Sequence, residues 1–464
     1  MKTNIYRIFS SLIYQLIDFA TITVSIWIAY KLYRISGIGE SVIYQKVDII
    51  PVSMAIGLFV IVIMRFFKVY QTNSSVLNVE EIQNTTKGLT IAFLLIMVIL
   101  VLGKVAISRY VIIFSYIISL TLVIVLKTFL YHIQYFSVSL HKLNRKVLIY
   151  GAGELGQALY REFNNSPKFG IIPVGFIDDN PLIIGRSISR SGFDTTNSIN
   201  VLGNRYDIKR LKESLSLDEI YIAISNIGAE SLNEIQKILN KENIKWKFVP
   251  NLYKASMHKL KIEQIGQIPL VSEEVSKSFY VPYVKPIFDI VVSLILLVIL
   301  LPLILMIALL IRMDSKGPVI FKHDRVGING KVFGIYKFRT MDIDSNPYSI
   351  NPLDENDPRI TKIGKFLRKS SFDEIPQLLN VLKSNMSIVG PRPEMPFIVE
   401  QYNEIERERL RVLPGITGLW QLSGDRKKAI HENMDYDLYY IQNVSFFMDI
   451  AILIETLIFA FRGI

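Results

Sequence analysis

Four apolar segments fill most of the first 140 residues, near positions 8 to 33, 48 to 67, 88 to 107 and 110 to 136. Each approaches the roughly 20 residues that a membrane-spanning helix needs. The whole chain is 50% hydrophobic with a mean hydropathy of +0.34, too apolar for an ordinary soluble protein of this length. A four-span helical bundle over residues 1–140 is therefore predicted, and its even number of crossings returns the chain to its starting side. Lys and Arg number about eight in the N-terminus, the 65 to 87 loop and the segment after His141, against about five in the other two connections. That bias places the N-terminus on the cytoplasmic side. The first span is too long for a signal peptide and carries no small-residue cleavage site, so it reads as a retained helix. Asp18 within it is costly against lipid and should face other helices.

A net charge of +11 suits an anionic leaflet or phosphorylated substrates and lipids. No basic stripe interleaved with aromatics lies outside the apolar spans, which argues against nucleic acid. The absence of cysteine excludes disulfides, thiolate catalysis and Cys-ligated metals. With five histidines, and no ligand-like spacing between His132 and His141, any metal should be a hard cation on carboxylates.

From Lys146 the pattern becomes that of a soluble α/β domain. Val147-Leu148-Ile149-Tyr150 is a buried strand, followed by Gly151-Ala152-Gly153-Glu154-Leu155-Gly156 and a helical run to about Asn164. A G-x-G-x-x-G turn between strand and helix lets backbone N–H groups approach a pyrophosphate. Val174 to Asp179 reads as a second strand ending in acids, with further strands at Glu219 to Ile224 and Lys245 to Val249 and helices at Asp207 to Ser214 and Ser231 to Asn240. A Rossmann-like domain over residues 141–256 follows, with Gly151, Gly153, Gly156 and Asp178 as its candidate nucleotide site. The same glycines also serve tight strand–helix packing, so both readings stand. A Tyr-x-x-x-Lys pair of the kind a dehydratase or epimerase needs is missing between residues 146 and 255.

Residues 257–284 read as a connector. Pro286 to Ile311 then supplies about 25 apolar residues interrupted by Leu301-Pro302, long enough to span. A fifth crossing would carry everything after it to the far side, so a re-entrant helix-break-helix over 286–311 is predicted. Beyond it, Asn329-Gly330 is hairpin chemistry, and Tyr336 to Met341 alternates apolar and basic residues as a half-buried strand would. Arg325, Lys337, Arg339, Arg368 and Arg392 form candidate phosphate ligands, since guanidinium forks match phosphate oxygens. Among them stands Ser371-Phe372-Asp373-Glu374-Ile375-Pro376, where a helix is about to begin. Ser371 with Glu374 fits a capping box, and the exposed N–H groups there favour ionised carboxylates and can hold phosphate. The acidic pair either caps that helix or does chemistry. The apolar segment Phe446 to Phe461 is short, carries Asp449 and Glu455, and should lie along the membrane surface.

Several motifs in order resemble the bacterial sugar transferase family, the polyprenyl-phosphate hexose-1-phosphate or monotopic phosphoglycosyl transferases. They are Lys322-His323-Asp324-Arg325-Val326-Gly327, Lys337-Phe338-Arg339-Thr340-Met341, Arg368 to Leu379, Val389-Gly390-Pro391-Arg392-Pro393-Glu394, and Pro414-Gly415-Ile416-Thr417-Gly418-Leu419-Trp420-Gln421. The bundle and Rossmann-like domain ahead of them are similar to the long form of the family, the undecaprenyl-phosphate galactose- and glucose-phosphate transferases. After Gln421 the family continues to Gly-Arg, whereas here Gly424 is followed by Asp425 and then Arg426. The resemblance implies a C-terminal α/β monotopic catalytic domain over 285–464 behind a cytosolic Rossmann-like domain, in the bacterial inner membrane. It implies that Asp373 attacks a UDP-sugar, releases UMP and passes the sugar phosphate to polyprenyl phosphate, initiating a capsule, O-antigen or other surface glycan. It further implies Mg²⁺ on Glu374, phosphate on Arg368, Arg392, Lys337, Arg339 and Arg325, and nucleotide or sugar near Thr417 and Gln421. A homodimer is a further expectation. The competing readings are a membrane-bound nucleotide-sugar dehydratase or epimerase centred on the middle domain, and a non-catalytic scaffold of polysaccharide assembly.

Overall fold

The computed structural model describes residues 2–37, 49–70, 79–104, 108–138, 145–165, 171–189, 198–250, 260–265, 268–273, 278–342, 357–423 and 434–461. The chain divides into two compact units, residues 1–120 with 261–464, and residues 121–260.

The apolar segments of the N-terminal region form helices α1 (Lys2–Ser36), α2 (Ile49–Phe66), α3 (Val79–Leu102) and α4 (Arg109–Val138). Ile22, Ile26, Val60, Met64, Leu89 and Phe93 turn inward, while Leu16, Leu58, Val62, Ile99 and Leu102 are exposed. Exposed apolar faces of this extent suit lipid and not water. Asp18 is 1% exposed, held among helices as an acid within an apolar helix is expected to be.

The second unit carries a four-stranded parallel sheet in the order β2-β1-β5-β6, from β1 (Arg145–Tyr150), β2 (Ile171–Ile177), β5 (Glu219–Ile222) and β6 (Lys245–Phe248). A two-stranded sheet, β3 (Ser187–Ser189) with β4 (Ser198–Asn200), stands beside β2. Strand β1 alternates its side chains between two cores. Val147 and Ile149 pack with Leu155, Tyr160 and Phe163 of α5 (Glu154–Asn165). Leu148 and Tyr150 pack with Ile208 and Leu211 of α6 (Ile208–Leu215) and Ile235 and Leu239 of α7 (Ala229–Lys241). Full burial of Val, Leu or Ile contributes about 1.5–3 kcal/mol per side chain, so a strand buried on both faces commits the chain to a doubly wound fold.

Back in the first unit, the connector contains a two-stranded sheet of β7 (Leu260–Ile265) and β8 (Ile268–Glu273). Helix α8 (Lys285–Asp314) then runs through Pro302 as one α-helix, so the break expected at Leu301-Pro302 is not present. Proline removes one hydrogen bond, and in an apolar segment the remaining backbone groups still have no better partner than the helix. Strands β9 (Ile320–Val326) and β10 (Val332–Phe338) form an antiparallel hairpin. Its turn places Asn329 at φ 53° and Gly330 at φ 78°, the left-handed pair that Asn-Gly tolerates best. Helices α9 (Lys362–Ser370) and α10 (Leu378–Leu382) follow, then β11 (Ser387–Val389), which pairs in parallel with β12 (Gly415–Thr417) across the short helices α11 (Pro396–Val399) and α12 (Glu404–Arg407). Helices α13 (Leu419–Leu422), α14 (Met434–Asn443) and α15 (Phe446–Phe461) complete the chain. Helix α15 is packed on protein: it lies against α3, β11 and β12, with Met448, Ala451 and Ile452 inward and Asp449 buried. Asp449 meets a buried lysine from α8.

Candidate active site

Helix α9 starts at Thr361, whose Oγ1 accepts from the Gly364 N–H, and its Leu367 packs on Phe338 of β10 and on Ile307 and Ile311 of α8. It ends at Ser371, which takes a left-handed conformation (φ 57°) and turns the chain into a 3₁₀ segment over Phe372–Gln377. Asp373 and Glu374 therefore sit in the first turn of a new helical run, as the sequence predicts. The capping box does not form. Ser371 makes no side-chain cap bond, and the Glu374 carboxylate is drawn instead to two cations. In those bonds both partners are charged, whereas in a capping box the carboxylate would meet only a neutral backbone N–H.

Lys337 Nζ donates to Glu374 Oε1 at 2.8 Å and lies 3.8 Å from Asp373 Oδ2. Arg392 Nη2 donates to the same Oε1 at 3.0 Å, and among the described residues Oε2 takes no hydrogen bond. Arg368 adds a third positive charge to the field at Asp373, and its guanidinium makes no hydrogen bond or ion pair among the described residues. Burial alone would push the Glu374 carboxyl up, but Lys337 and Arg392 outweigh it and hold the group well below the usual carboxylate range. Burial pushes the Asp373 carboxyl up, and the neighbouring Glu374 charge adds to the rise while Lys337, Arg392 and Arg368 oppose it. Asp373 is thus the higher-energy carboxylate of the two: burial and the Glu374 charge work against the ionised form that a helix start favours.

Two features position this cluster. Asn380 of α10 is 0% exposed; its Oδ1 accepts from the Tyr336 N–H (2.9 Å) and its Nδ2 donates to the Gly334 carbonyl (2.8 Å). It stands in for a strand partner and fixes the helical run that carries Asp373 against the strand that carries Lys337. The other feature is the turn after β11. A Cβ on Gly415 would lie 2.1 Å from the Gly390 nitrogen, so two glycines are required for the chains to cross there and deliver Arg392 between Pro391 and Pro393. Sequence reasoning missed Asn380, although a lone amide inside Leu378-Leu379-Asn380-Val381-Leu382 was the available signal.

The other predicted residues lie elsewhere. Arg339 is buried at the end of α8, where its Nη2 donates to the Ser315 carbonyl and hydroxyl. Arg325 lies against His323 and the Asp324 carbonyl. Thr417 is paired with Thr456 of α15, and Gln421 donates to the Ile416 carbonyl. Gly424, Asp425 and Arg426 are outside the described residues.

In the middle unit, Gly151 takes φ +110°, and a Cβ on Gly156 would lie 1.9 Å from the Gly151 carbonyl oxygen. Of the three fingerprint glycines, Gly153 alone faces open space. Asp178 accepts from the Ala152 N–H (2.8 Å) and the Asn180 N–H (2.9 Å). Asp179 accepts from Tyr150 (2.6 Å) and from Arg205 Nε (2.9 Å). Its carboxyl would be raised by burial but is held below the ordinary range by the Arg205 and Tyr150 bonds.

The carboxylate pair under its cations lies on a domain rooted in a long apolar helix, and the match to a sugar transferase model over that domain makes the protein a transferase. The chain belongs to the bacterial sugar transferase family. The family's model matches residues 280–463, and a CoA-binding domain model matches residues 65–250. The chain is 30% identical over 328 residues to the UDP-glucose:undecaprenyl-phosphate glucose-1-phosphate transferase of Escherichia coli K12, covering 69% of this chain and 68% of that one. It is 38% identical over 189 residues to the undecaprenyl-phosphate galactose phosphotransferase of Salmonella typhimurium, covering 38% and 40%. It is 46% identical over 159 residues to galactosyl transferase CpsE of Streptococcus agalactiae serotype III, covering 32% and 35%. Membership sets aside the scaffold and the dehydratase readings.

Proposed function

We propose that the protein transfers a hexose-1-phosphate from a UDP-sugar to polyprenyl phosphate in two displacements. The observation that carries this reading is the unequal acidic pair, with Glu374 held ionised by Lys337 and Arg392 and Asp373 left beside it with its nearest cation at 3.8 Å. An Asp373 oxygen attacks the phosphorus that bears the sugar, the bond from that phosphorus to the UMP oxygen breaks, and UMP leaves with the electron pair. A phosphate oxygen of polyprenyl phosphate then attacks the same phosphorus and displaces the Asp373 carboxylate. The covalent intermediate divides one difficult displacement into two easier ones. Lys337 and Arg368 neutralise charge on the equatorial oxygens, which is where phosphoryl transfer concentrates it. Arg392 orients Glu374.

Mg²⁺ fits the residues present. It keeps most of its waters and asks for one or two carboxylates plus substrate phosphates, not a dedicated cage. Glu374 Oε2 and the Asp373 carboxylate supply that much, and no cluster of three or more acidic or histidine ligands lies among the described residues. When bound, the ion would offset charge on the diphosphate of the donor.

The site belongs on the cytoplasmic face, with α8 re-entrant. The support is that one stretch of chain meets both ends of this helix. Lys285 and Asp289 bond to Val389 and Ile388, while Ile307 and Ile311 pack around Ile375, Leu367 and Phe338. A straight helix of 30 residues would separate its ends by about 45 Å. Leu294, Val298, Ile299, Leu301 and Leu305 between the anchors are exposed, as a continuous helix that curves through Pro302, dips into lipid and returns requires. Because the chain lacks cysteine, Lys316→Cys reports this topology cleanly. An impermeant maleimide should leave it unlabelled in intact cells and label it after lysis; labelling in intact cells removes the re-entrant reading.

The function is tested by incubating the membrane-embedded protein with polyprenyl phosphate and a panel of labelled UDP-hexoses, with Mg²⁺ and with a chelator. UMP release matched by labelled lipid, dependent on Mg²⁺, is expected. Release of UDP, or no turnover with any donor, would contradict it.

A further inference from the structure

The loop that delivers Arg392 is gripped from behind by buried cations that donate into its backbone carbonyls. At its start, the Val389 carbonyl accepts from Lys285 Nζ (3.1 Å), and the Tyr440 hydroxyl lies 2.9 Å from the same oxygen. Asp449, fully buried on α15, neutralises that lysine at 2.6 Å. At Arg392 itself, Arg409 Nη2 donates to the carbonyl at 2.8 Å. Arg409 is 4% exposed, ion-paired through Nε with Asp437 of α14 at 2.7 Å, and bonded to the Tyr402 hydroxyl. The loop leaves this grip through Glu394, whose carbonyl accepts from the Val326 N–H of β9 (2.9 Å).

Neither Arg409 nor Asp437 makes a hydrogen bond or ion pair with Asp373 or Glu374. A fully buried ion pair is also a poor device for stability alone, because apolar side chains of similar volume often fill such a space at least as well. What a guanidinium does that an apolar side chain cannot is hold a particular carbonyl in a particular direction. With Pro391 and Pro393 fixing φ on either side and the Arg392 carbonyl pinned, the Arg392 side chain leaves the loop on a set course and reaches Glu374 at 3.0 Å.

We propose that Arg409 and Asp437 are positioning residues for the transfer, acting through the backbone of Arg392 to aim its guanidinium at the acidic pair. This rests on the transferase reading above. A misplacement of about 1 Å in such a group can lower a rate about 100-fold. The test is a double-mutant cycle on the full-length, membrane-embedded protein, reading the rate of covalent adduct formation from a labelled UDP-hexose, kcat and KM for that donor, and the thermal transition. Arg409→Lys keeps the charge and loses the fork; it should lower kcat and the adduct rate about 10- to 100-fold, with KM changed less than about threefold. In an Arg392→Lys background the same substitution should add less than about twofold, because the group it acts through is already displaced.

Equal losses in both backgrounds would overturn the proposal. So would a loss that tracks a lowered thermal transition while the adduct rate per folded molecule stays at the wild-type value. Should Arg409→Lys not accumulate as folded protein, Asp437→Asn enters the same cycle, since it loosens the guanidinium without removing it. If the wild-type protein itself forms no adduct and releases no UMP, the transferase reading fails, and that outcome is distinguishable from any result of the cycle.

Discussion

The protein carries two acidic pairs at chain turns, Asp178-Asp179 after β2 and Asp373-Glu374 after α9, and they are built in opposite ways. In the first, two backbone N–H groups satisfy Asp178, and Tyr150 and Arg205 satisfy Asp179. In the second, one oxygen of Glu374 receives both Lys337 and Arg392, its other oxygen takes no hydrogen bond among the described residues, and Asp373 is raised by burial. A pair whose capacity is used by its own fold is architecture. A pair surrounded by more positive charge than it consumes, with one member made costly to ionise, is poised to meet a substrate.

Substitutions at the two pairs should separate that contrast, beginning with the largest effect. Asp373→Asn removes the nucleophile and keeps the shape; loss of transfer on the order of 10³-fold or more is expected in a UMP-release assay, with the thermal transition unchanged or raised. The rise would follow from removing a charge whose burial is unfavourable. Asn380→Ala leaves the buried Gly334 carbonyl and Tyr336 N–H without their partner, a penalty of about 1–3 kcal/mol, and lets β10 drift from the acidic pair. Chemical denaturation should show the stability loss, and transfer per folded molecule should fall with it.

The pH dependence is a finer test. Asp373 must be ionised to attack, and its folded-state pKa is raised, so the acid limb of the transfer rate should lie above the ordinary aspartate value of about 3.9. Lys337→Met removes a charge that lowers it and should move the limb further up. Stability follows the two acids in opposite senses. Glu374, depressed in the fold, stabilises above its unfolded pKa, and that contribution is lost as pH falls through the folded value. Asp373, raised in the fold, instead favours folding more as pH falls. The smallest effect belongs to the other pair: Asp179→Asn should lower stability by about 1 kcal/mol, because the ion pair with Arg205 is partly exposed, and leave transfer per folded molecule at the wild-type rate. A matching loss of transfer would erase the distinction between the pairs.

Local pattern made much of this legible in the sequence. The apolar helices, the parallel strands of the middle domain, the Asn329-Gly330 turn and the acidic pair all declare themselves through periodicity or turn chemistry within a few residues. What could not be read is which charges meet across long separations. Lys285 and Asp449, 164 positions apart, each look like an interfacial charge until folding buries them together. Arg339 sits in an alternating basic strand beside Lys337, yet it turns to Ser315 while Lys337 turns to the acids. Strand alternation sends neighbours at odd and even positions to opposite faces, but residues 337 and 339 share a parity. The difference arises because β10 ends at Phe338, a tertiary fact with no local signature. The continuity of α8 through Pro302 was missed for a related reason, since the sequence shows the missing hydrogen bond but not how little else the segment has to bond with.

The most direct test is to trap the intermediate. Membrane-embedded protein is exposed to a UDP-hexose with Mg²⁺ and without polyprenyl phosphate, quenched, and examined by intact-mass and peptide mass spectrometry. The account predicts a hexose-phosphate adduct on Asp373, formed with release of UMP, discharged on adding polyprenyl phosphate, and absent from Asp373→Asn. Donor-dependent transfer to lipid by Asp373→Asn at the wild-type rate, or an adduct seated on any other residue, would contradict it.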